Sequence, residues 1–349
     1  MTLKIPVGRV RMARAVIGGL LLAAAFAGCS SRQPSDSGVA TDLPSAADSG
    51  LIESAPGMSG TEVSSYDATV ELTRRDAAVA HLEAGCTLMS EGDGMGALAE
   101  FESAIAADPQ FPDPYFFRGL LFLNGGDLMT AIADYDIAIR LNPNAAESYC
   151  NRGLARQHSE YPFGALEDFN RAIELSPSFA LALSNRASLK LDFNDFDGAL
   201  ADCNLAIESD PDLANAYNNR AVCYTRMGNY PAAYADFSRL IELQPSSAIA
   251  HYYRGLVSSD MERYPDAVAD YSVALELDPT FADAYLRRGS ARIDMHDPTA
   301  AIPDLDQVIA IDPDNAHGYA LRGLAKLRTD DNAGADTDCR RAVELDPNQ

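Results

Sequence analysis

Residues 214–247 read ANAYNNRAVCYTRMGNYPAAYADFSRLIELQPSS, and the fold is decided there. In the second half Ala233, Phe237 and Leu240 follow one another at spacings of four and three, which places them on one face of a helix. In the first half Tyr217 and Ala221 stand four apart, predicting another helix ahead of it. Pro245 closes the segment, because the residue before a proline is pushed out of helical geometry. The segment therefore predicts one helical hairpin.

Outward from it, the hairpin recurs at a fixed interval. Pro109, Pro143, Pro177, Pro211, Pro245, Pro279, Pro313 and Pro347 are spaced 34 apart without a slip. They define eight repeats: 78–111, 112–145, 146–179, 180–213, 214–247, 248–281, 282–315 and 316–349. Position 20 is always Ala, from Ala97 to Ala335, and position 8 is always Gly or Ala. Small residues at both positions let two antiparallel helices approach closely, while aromatics such as Tyr115, Phe169 and Tyr285 fill the gaps between neighbours.

This pattern of aromatic, small residue, Ala, Phe and Pro at fixed offsets resembles the tetratricopeptide repeat family. The resemblance covers residues 78–349 and assigns 70–349 to one domain. It implies an all-α fold, a right-handed α-solenoid of eight helix-turn-helix repeats, 16 helices in all. The first helix of each repeat would then line the concave side.

Two features depart from the family pattern. Position 7, often Leu in the family, is Arg in seven repeats, and position 23 is Asp in the same seven. The matched ladders predict a pair between the two helices of each repeat: Arg118 with Asp134, Arg152 with Asp168, Arg186 with Asp202, Arg220 with Asp236, and so on. Equal and opposite charges recurring together are read as structural, in preference to an ion path or anion site. Exposed pairs of this kind are worth less than about 1 kcal/mol each. The other departure is Pro303, expected to remove one backbone bond and bend the second helix of repeat seven.

The N-terminus carries a different signal. Lys4, Arg9, Arg11 and Arg14 precede fourteen apolar residues, Ala15 to Gly28, and then Cys29. That stretch is too short for a bilayer core, which needs about 20 residues, but it suits the h-region of a signal peptide spanning 1–28. Phe26-Ala27-Gly28-Cys29 resembles the bacterial lipobox, with Phe26 where Leu is commonest. The resemblance implies cleavage before Cys29, lipidation of that cysteine and a lipid-anchored protein of the cell envelope. Ser30 after the cysteine points to the outer membrane, facing the periplasm. Residues 29–69, dominated by Ser, Ala, Asp, Gly and Pro, are expected to form a flexible tether.

Composition narrows the function. A net charge of −24 with three Lys in 349 residues supplies no basic stripe for a phosphate backbone, which excludes nucleic acid. Six Cys without a CxxC pair make neither a disulfide scaffold nor a zinc site. No GxxxxGK, GxSxG or HExxH occurs, so no enzyme, metal or cofactor is expected.

The family resemblance places positions 2, 5, 6, 9, 12 and 13 on the concave wall. There Glu83, Asp113, Glu147, Asp192, Asp260, Asp283 and Asp294 face Arg226, Arg287 and Arg328, a mildly acidic groove suited to cationic peptide segments. Asn151, Asn185 and Asn219 share position 6, and a carboxamide both donates and accepts. The column resembles the asparagine ladder of peptide-binding superhelices; the plain alternative is a favoured spelling of the repeat. The expected function is a membrane-anchored scaffold or adaptor for protein partners. A self-associating envelope protein and an unrecognised enzyme are the alternatives.

Overall fold

Close approach of two helices is what the small positions dictate, and the structure shows how tight it is. The structure is a computed structural model describing residues 62–346, with side chains described from residue 73. The signal segment, Cys29 and most of the tether lie outside the described residues. Sixteen α-helices and no strand occur among the described residues. They are α1 (Glu62–Glu91), α2 (Gly94–Ala107), α3 (Pro112–Asn124), α4 (Leu128–Leu141), α5 (Ala146–His158), α6 (Pro162–Leu175), α7 (Ala180–Asp192) and α8 (Phe196–Ser209). After these come α9 (Ala214–Arg226), α10 (Tyr230–Leu243), α11 (Ala248–Asp260), α12 (Tyr264–Leu277), α13 (Ala282–Asp294), α14 (Pro298–Ile311), α15 (Ala316–Arg328) and α16 (Asn332–Leu345). Each repeat supplies one hairpin, and the architecture is an all-α solenoid.

The chain divides into two compact units after Ala165. The core of the first includes Ala78, Leu82, Ala97, Phe101 and Phe117. The second is built from successive clusters, of which Tyr217, Ala221, Ala233, Phe237 and Val257 form one. Gly255 explains the demand for small residues at position 8: a Cβ there would lie 2.6 Å from the Tyr271 ring. Gly85 stands in the same relation to Phe101, also at 2.6 Å. Where position 24 shrinks to Cys203, the facing position grows to Ala187, and both stay fully buried.

One detail differs from expectation. Helix α1 begins at Glu62, inside the stretch read as tether. Once the first hairpin nucleates a helix, each residue added upstream gains one backbone bond at little cost. Arg75 ties this extension down by pairing with Asp108 and lying over the Phe111 ring, 4.4 Å from its centroid. Pro303 sits inside α14, which runs unbroken from Pro298 to Ile311. The helix forgoes one bond there and continues.

The turn between the paired helices was not legible as a motif. Position 15 is left-handed in every repeat, but only Gly92, Gly126 and Gly228 are glycine. Glu160, Asn194, Glu262, His296 and Asp330 hold the same conformation with φ of 58–64°. The reason is a Schellman closure: the Asp195 N–H donates to the Lys190 carbonyl at 2.9 Å, and the Asn229 N–H to the Tyr224 carbonyl at 2.8 Å. The next residue then caps the second helix. The side chains of Asp93, Asp127, Asp195, Asn229, Asp297 and Asp331 each accept from a backbone N–H three residues on.

A left-handed L-residue costs roughly 1–2 kcal/mol, and glycine escapes that strain at some cost in chain entropy. Glu262→Gly is therefore expected to raise stability by about 0.5 kcal/mol and Gly228→Glu to lower it, both read from urea midpoints. Equal midpoints for the two variants would contradict this account of the turn.

Candidate functional site

The arginine and aspartate ladders meet. Arg118 donates to Asp134 through Nε at 2.8 Å and Nη2 at 2.7 Å, the two-pronged fork that a guanidinium fits to a carboxylate. The same fork joins Arg186 to Asp202, Arg220 to Asp236, Arg254 to Asp270, Arg288 to Asp304 and Arg322 to Asp338. Asp168, the matching residue for Arg152, is 2 % exposed. The pairs are not the exposed ones that the sequence suggested. The seven aspartates are buried, with exposures of only 2–5 %. Small residues at positions 8 and 20 bring the helices so close that the shorter acid is enclosed while the arginine stem reaches in from the side.

Three partners of the ladder escaped the sequence reading. Six of the seven arginines, from Arg152 to Arg322, also reach back to position 25 of the preceding repeat. Arg152 donates to Asp136 at 2.6 Å, Arg186 to Asn170 at 2.8 Å, Arg220 to Asn204 at 2.8 Å and Arg288 to the Ser272 hydroxyl at 3.0 Å. In five repeats the guanidinium also lies over the tyrosine three residues earlier, as Arg220 does over Tyr217 at 5.6 Å and Arg322 over Tyr319 at 5.5 Å. A second cation joins some of the aspartates: Lys190 on Asp202, Arg292 on Asp304 and Lys326 on Asp338, at 2.7–2.8 Å.

Burial pushes the Asp338 carboxyl upward, but hydrogen bonds from Arg322 and Lys326 outweigh it and hold it below the ordinary range. The first repeat spells the contact differently. It has Ala84 and Glu100 at the two ladder positions, and His81 Nδ1 lies 2.6 Å from Glu100 Oε2.

The groove residues are not equivalent to one another. Asn151 is 3 % exposed and donates to the Glu147 carbonyl at 3.0 Å, within its own helix. Asn219 is half-buried and donates to the Ser184 carbonyl at 3.0 Å, bridging α9 and α7. Asn185 is half-buried on α7. The structure thus does not present the three carboxamides as an open column.

The charged positions fare differently. Glu83, Glu147 and Asp283 are exposed, and Asp113 is half-buried. Asp192, Asp260 and Asp294 are exposed as well; partial burial raises the carboxyls of Asp192 and Asp260, with Arg287 opposing the shift at Asp260. Arg287 hydrogen-bonds Tyr252, and Tyr253, 40 % exposed, stacks on Phe237 at 5.8 Å. Arg328 is tied to the Ile293 carbonyl at 2.9 Å.

Cys86, Cys150, Cys203 and Cys223 are buried and Cys339 is exposed. Burial first, then Asp113 and Glu83, pushes the Cys86 thiol up to about 12, which makes it a poor nucleophile. No group of three or more His, Cys, Asp or Glu among the described residues could hold a metal ion.

Comparison with known proteins agrees with this geometry. Models of the tetratricopeptide repeat match residues 214–247 and, separately, 164–214 and 286–349; a TPR repeat model matches 119–158. The chain carries tetratricopeptide repeats. A tetratricopeptide repeat protein from Parabacteroides merdae is similar at 22 % identity and a TM-score of 0.50, over 67 % of this chain and 93 % of that one. The pilF protein of Pseudomonas aeruginosa is similar at 17 % identity and a TM-score of 0.54, over 59 % and 94 %. The C-terminal part of a repeat-containing protein from Cytophaga hutchinsonii is similar at 16 % identity and a TM-score of 0.54, over 67 % and 96 %. No curated protein matches the sequence. At these identities the likeness speaks for the fold alone.

The ladder generates two expectations. Removing one partner strands the other in a dry site, at a cost of about 3 kcal/mol. Arg220→Ala should lose about that much in urea unfolding. Arg220→Lys should recover only part of it, since an ammonium cannot make the fork. Full recovery by lysine would refute the bidentate reading.

For Asp338 the folded pKa lies below the unfolded value of about 3.9. Its stabilisation is complete above that value and is lost as pH falls through the folded pKa. Asp338→Asn should therefore flatten the loss of stability between pH 5 and pH 2, measured as urea midpoint against pH.

Proposed function

We propose that this protein is a membrane-anchored adaptor that holds cationic segments of partner proteins along the first helices of its repeats. The supporting observation is an imbalance of charge. Asp260, Asp283 and Asp294 lie exposed at groove positions, while Arg254, Arg288, Arg292 and Arg322 are drawn inward onto buried aspartates. A surface whose exposed acids outnumber its exposed cations, Arg226 and Arg287, attracts basic ligands over about 8–10 Å at physiological salt. Exposed Tyr253 and half-buried Asn185 add a ring face and a carboxamide to the same surface. Lipidation at Cys29, read from the lipobox-like Phe26-Ala27-Gly28-Cys29, supplies the anchor in the cell envelope, with the outer membrane facing the periplasm as its place. Self-association through the last hairpin is the weaker reading. The exposed face of α16 carries Asp336 and Arg340, paired at 2.8 Å, where stacking would want apolar side chains.

Calorimetric titration of the full-length chain with a Lys/Arg-rich peptide and an Asp/Glu-rich one tests the groove. The cationic peptide should bind, more weakly as salt rises, and the acidic one should not. Asn185→Ala combined with Asp283→Asn should weaken binding about tenfold, in line with loss of one charge and one hydrogen bond. Unchanged affinity would remove the groove from the proposal. In parallel, Cys29→Ser should abolish acyl labelling and release the chain from membranes; a variant still held there would refute the lipid anchor.

A further inference from the structure

A row of apolar side chains runs outside the groove and is not used by that reading. Phe193, Met227, Met261 and Met295 are the C-cap residues of α7, α9, α11 and α13, one in each of four consecutive repeats of the second unit. Phe193 is 41 % exposed, Met227 48 % and Met295 42 %, while Met261 is half-buried. In the repeats on either side the same position is Ser159 and Thr329, so the row begins and ends with these four hairpins.

Its surroundings are acidic: Asp192, Asp195, Asp260, Glu262, Asp294 and Asp297 are exposed within two residues of the row. Arg226 and Arg263 oppose them, and Arg263 is already paired with Asp266. Thioethers are soft and adapt to irregular apolar partners. Apolar anchors bordered by acids describe a surface for a partner that is apolar on one stripe and basic beside it.

Spacing selects the form of that partner. The first helices of neighbouring repeats lie side by side, as the Asn219–Ser184 and Arg328–Ile293 contacts show, and packed helices sit about 8–10 Å apart. Seven residues of α-helix rise about 10.5 Å, so an apolar side chain at every seventh position keeps step with the row. An extended strand could match the step but would need backbone partners. The N–H groups here are already committed, Phe193 to Leu189, Asn194 to Leu191 and Asp195 to Lys190 at 2.9–3.2 Å. A helix satisfies its own backbone and needs only side-chain contact.

We infer that the Phe193–Met295 row docks a basic amphipathic helix of a partner protein, about 20 residues long, with apolar residues at heptad spacing. The row borders the groove and shares Asp192, Asp260 and Asp294 with it, but its apolar side chains belong to no groove position, and the test distinguishes the two.

The probe is a fluorescein-labelled 24-residue peptide with Leu at every seventh position and Lys beside it on an Ala background. A control of the same composition has its Leu residues dispersed around the helix. Anisotropy with the full-length chain should show binding of the heptad peptide at least tenfold tighter than the control, weakening as salt rises. The triple change Met227→Ser, Met261→Ser, Met295→Ser should lose that tenfold, whereas Met→Leu at all three positions should keep it. Circular dichroism verifies that both variants remain folded. The groove variant with Asn185→Ala and Asp283→Asn should bind the heptad peptide normally. Equal binding of the control, indifference to the Met→Ser changes or loss in the groove variant would each overturn the proposal. So would sedimentation of the Cys29→Ser chain, which lacks the proposed lipid, with phosphatidylcholine–phosphatidylglycerol vesicles without binding of the peptide.

Discussion

One guanidinium in each of seven repeats, closing onto the second helix of its hairpin, is the contact on which the array depends. In repeat five Arg220 forks onto Asp236 of the partner helix, touches Asn204 of the previous repeat and lies over Tyr217 of its own. The first contact closes the hairpin and the second ties it to its neighbour. A buried carboxylate without its cation costs several kcal/mol, so the hairpin and the arginine stand or fall together. The helices must also approach closely, or the fork would not span the gap. Gly255 facing Tyr271 therefore serves the same end as Arg254 facing Asp270. In arrays stabilised by a repeat term and a neighbour term, this single side chain contributes to both.

The ladder changes character at its ends. In the first repeat Ala84 and Glu100 stand at the two ladder positions and His81 meets Glu100, and α1 extends upstream to Glu62 with Arg75 pinned against Asp108 and Phe111. In the last, position 25 is Arg340, where Asn204 and Ser272 accept hydrogen bonds in earlier repeats. A further hairpin stacked with the same register would bring a guanidinium against a guanidinium. Asp336, exposed where most repeats carry Leu or Ile, and exposed Cys339 make the same face polar. That face is built to be wetted.

How much of this was legible follows from which features repeat as a single residue type. Proline at 34-residue intervals and an invariant Ala at position 20 revealed the hairpins and their number, because both act through one chemistry each time. Arg and Asp in matched repeats revealed the pairing. Position 25 stayed hidden, since Asp136, Asn170, Ser238 and Asp306 all accept hydrogen bonds but are spelled with three different residue types. The left-handed turn was hidden for a similar reason: Glu262 and His296 are held there by the capping bonds around them rather than by their own preference. The asparagine column misled in the opposite way. Asn151 and Asn219 share a letter and a position, but one bonds inside its own helix and the other bridges two helices. Neighbours, which a repeat register does not report, decide what a carboxamide does.

The same accounting bears on how the molecule meets others. Net charge says only that the chain is acidic; the structure says where the remaining cations went. In the second unit Arg186, Lys190, Arg220, Arg254, Arg288, Arg292, Arg322 and Lys326 all point onto ladder aspartates. Three of those aspartates hold two cations each, so the ladder in repeats four and seven is locally positive, while in repeat eight Asp306 on Arg322 balances the second cation. The outer surface is correspondingly more acidic than composition alone implies. The acidic field that the proposed basic partners would meet is thus a by-product of how the hairpins are held together. Specificity must come from the few places where that acid field is interrupted by rings, carboxamides or thioethers.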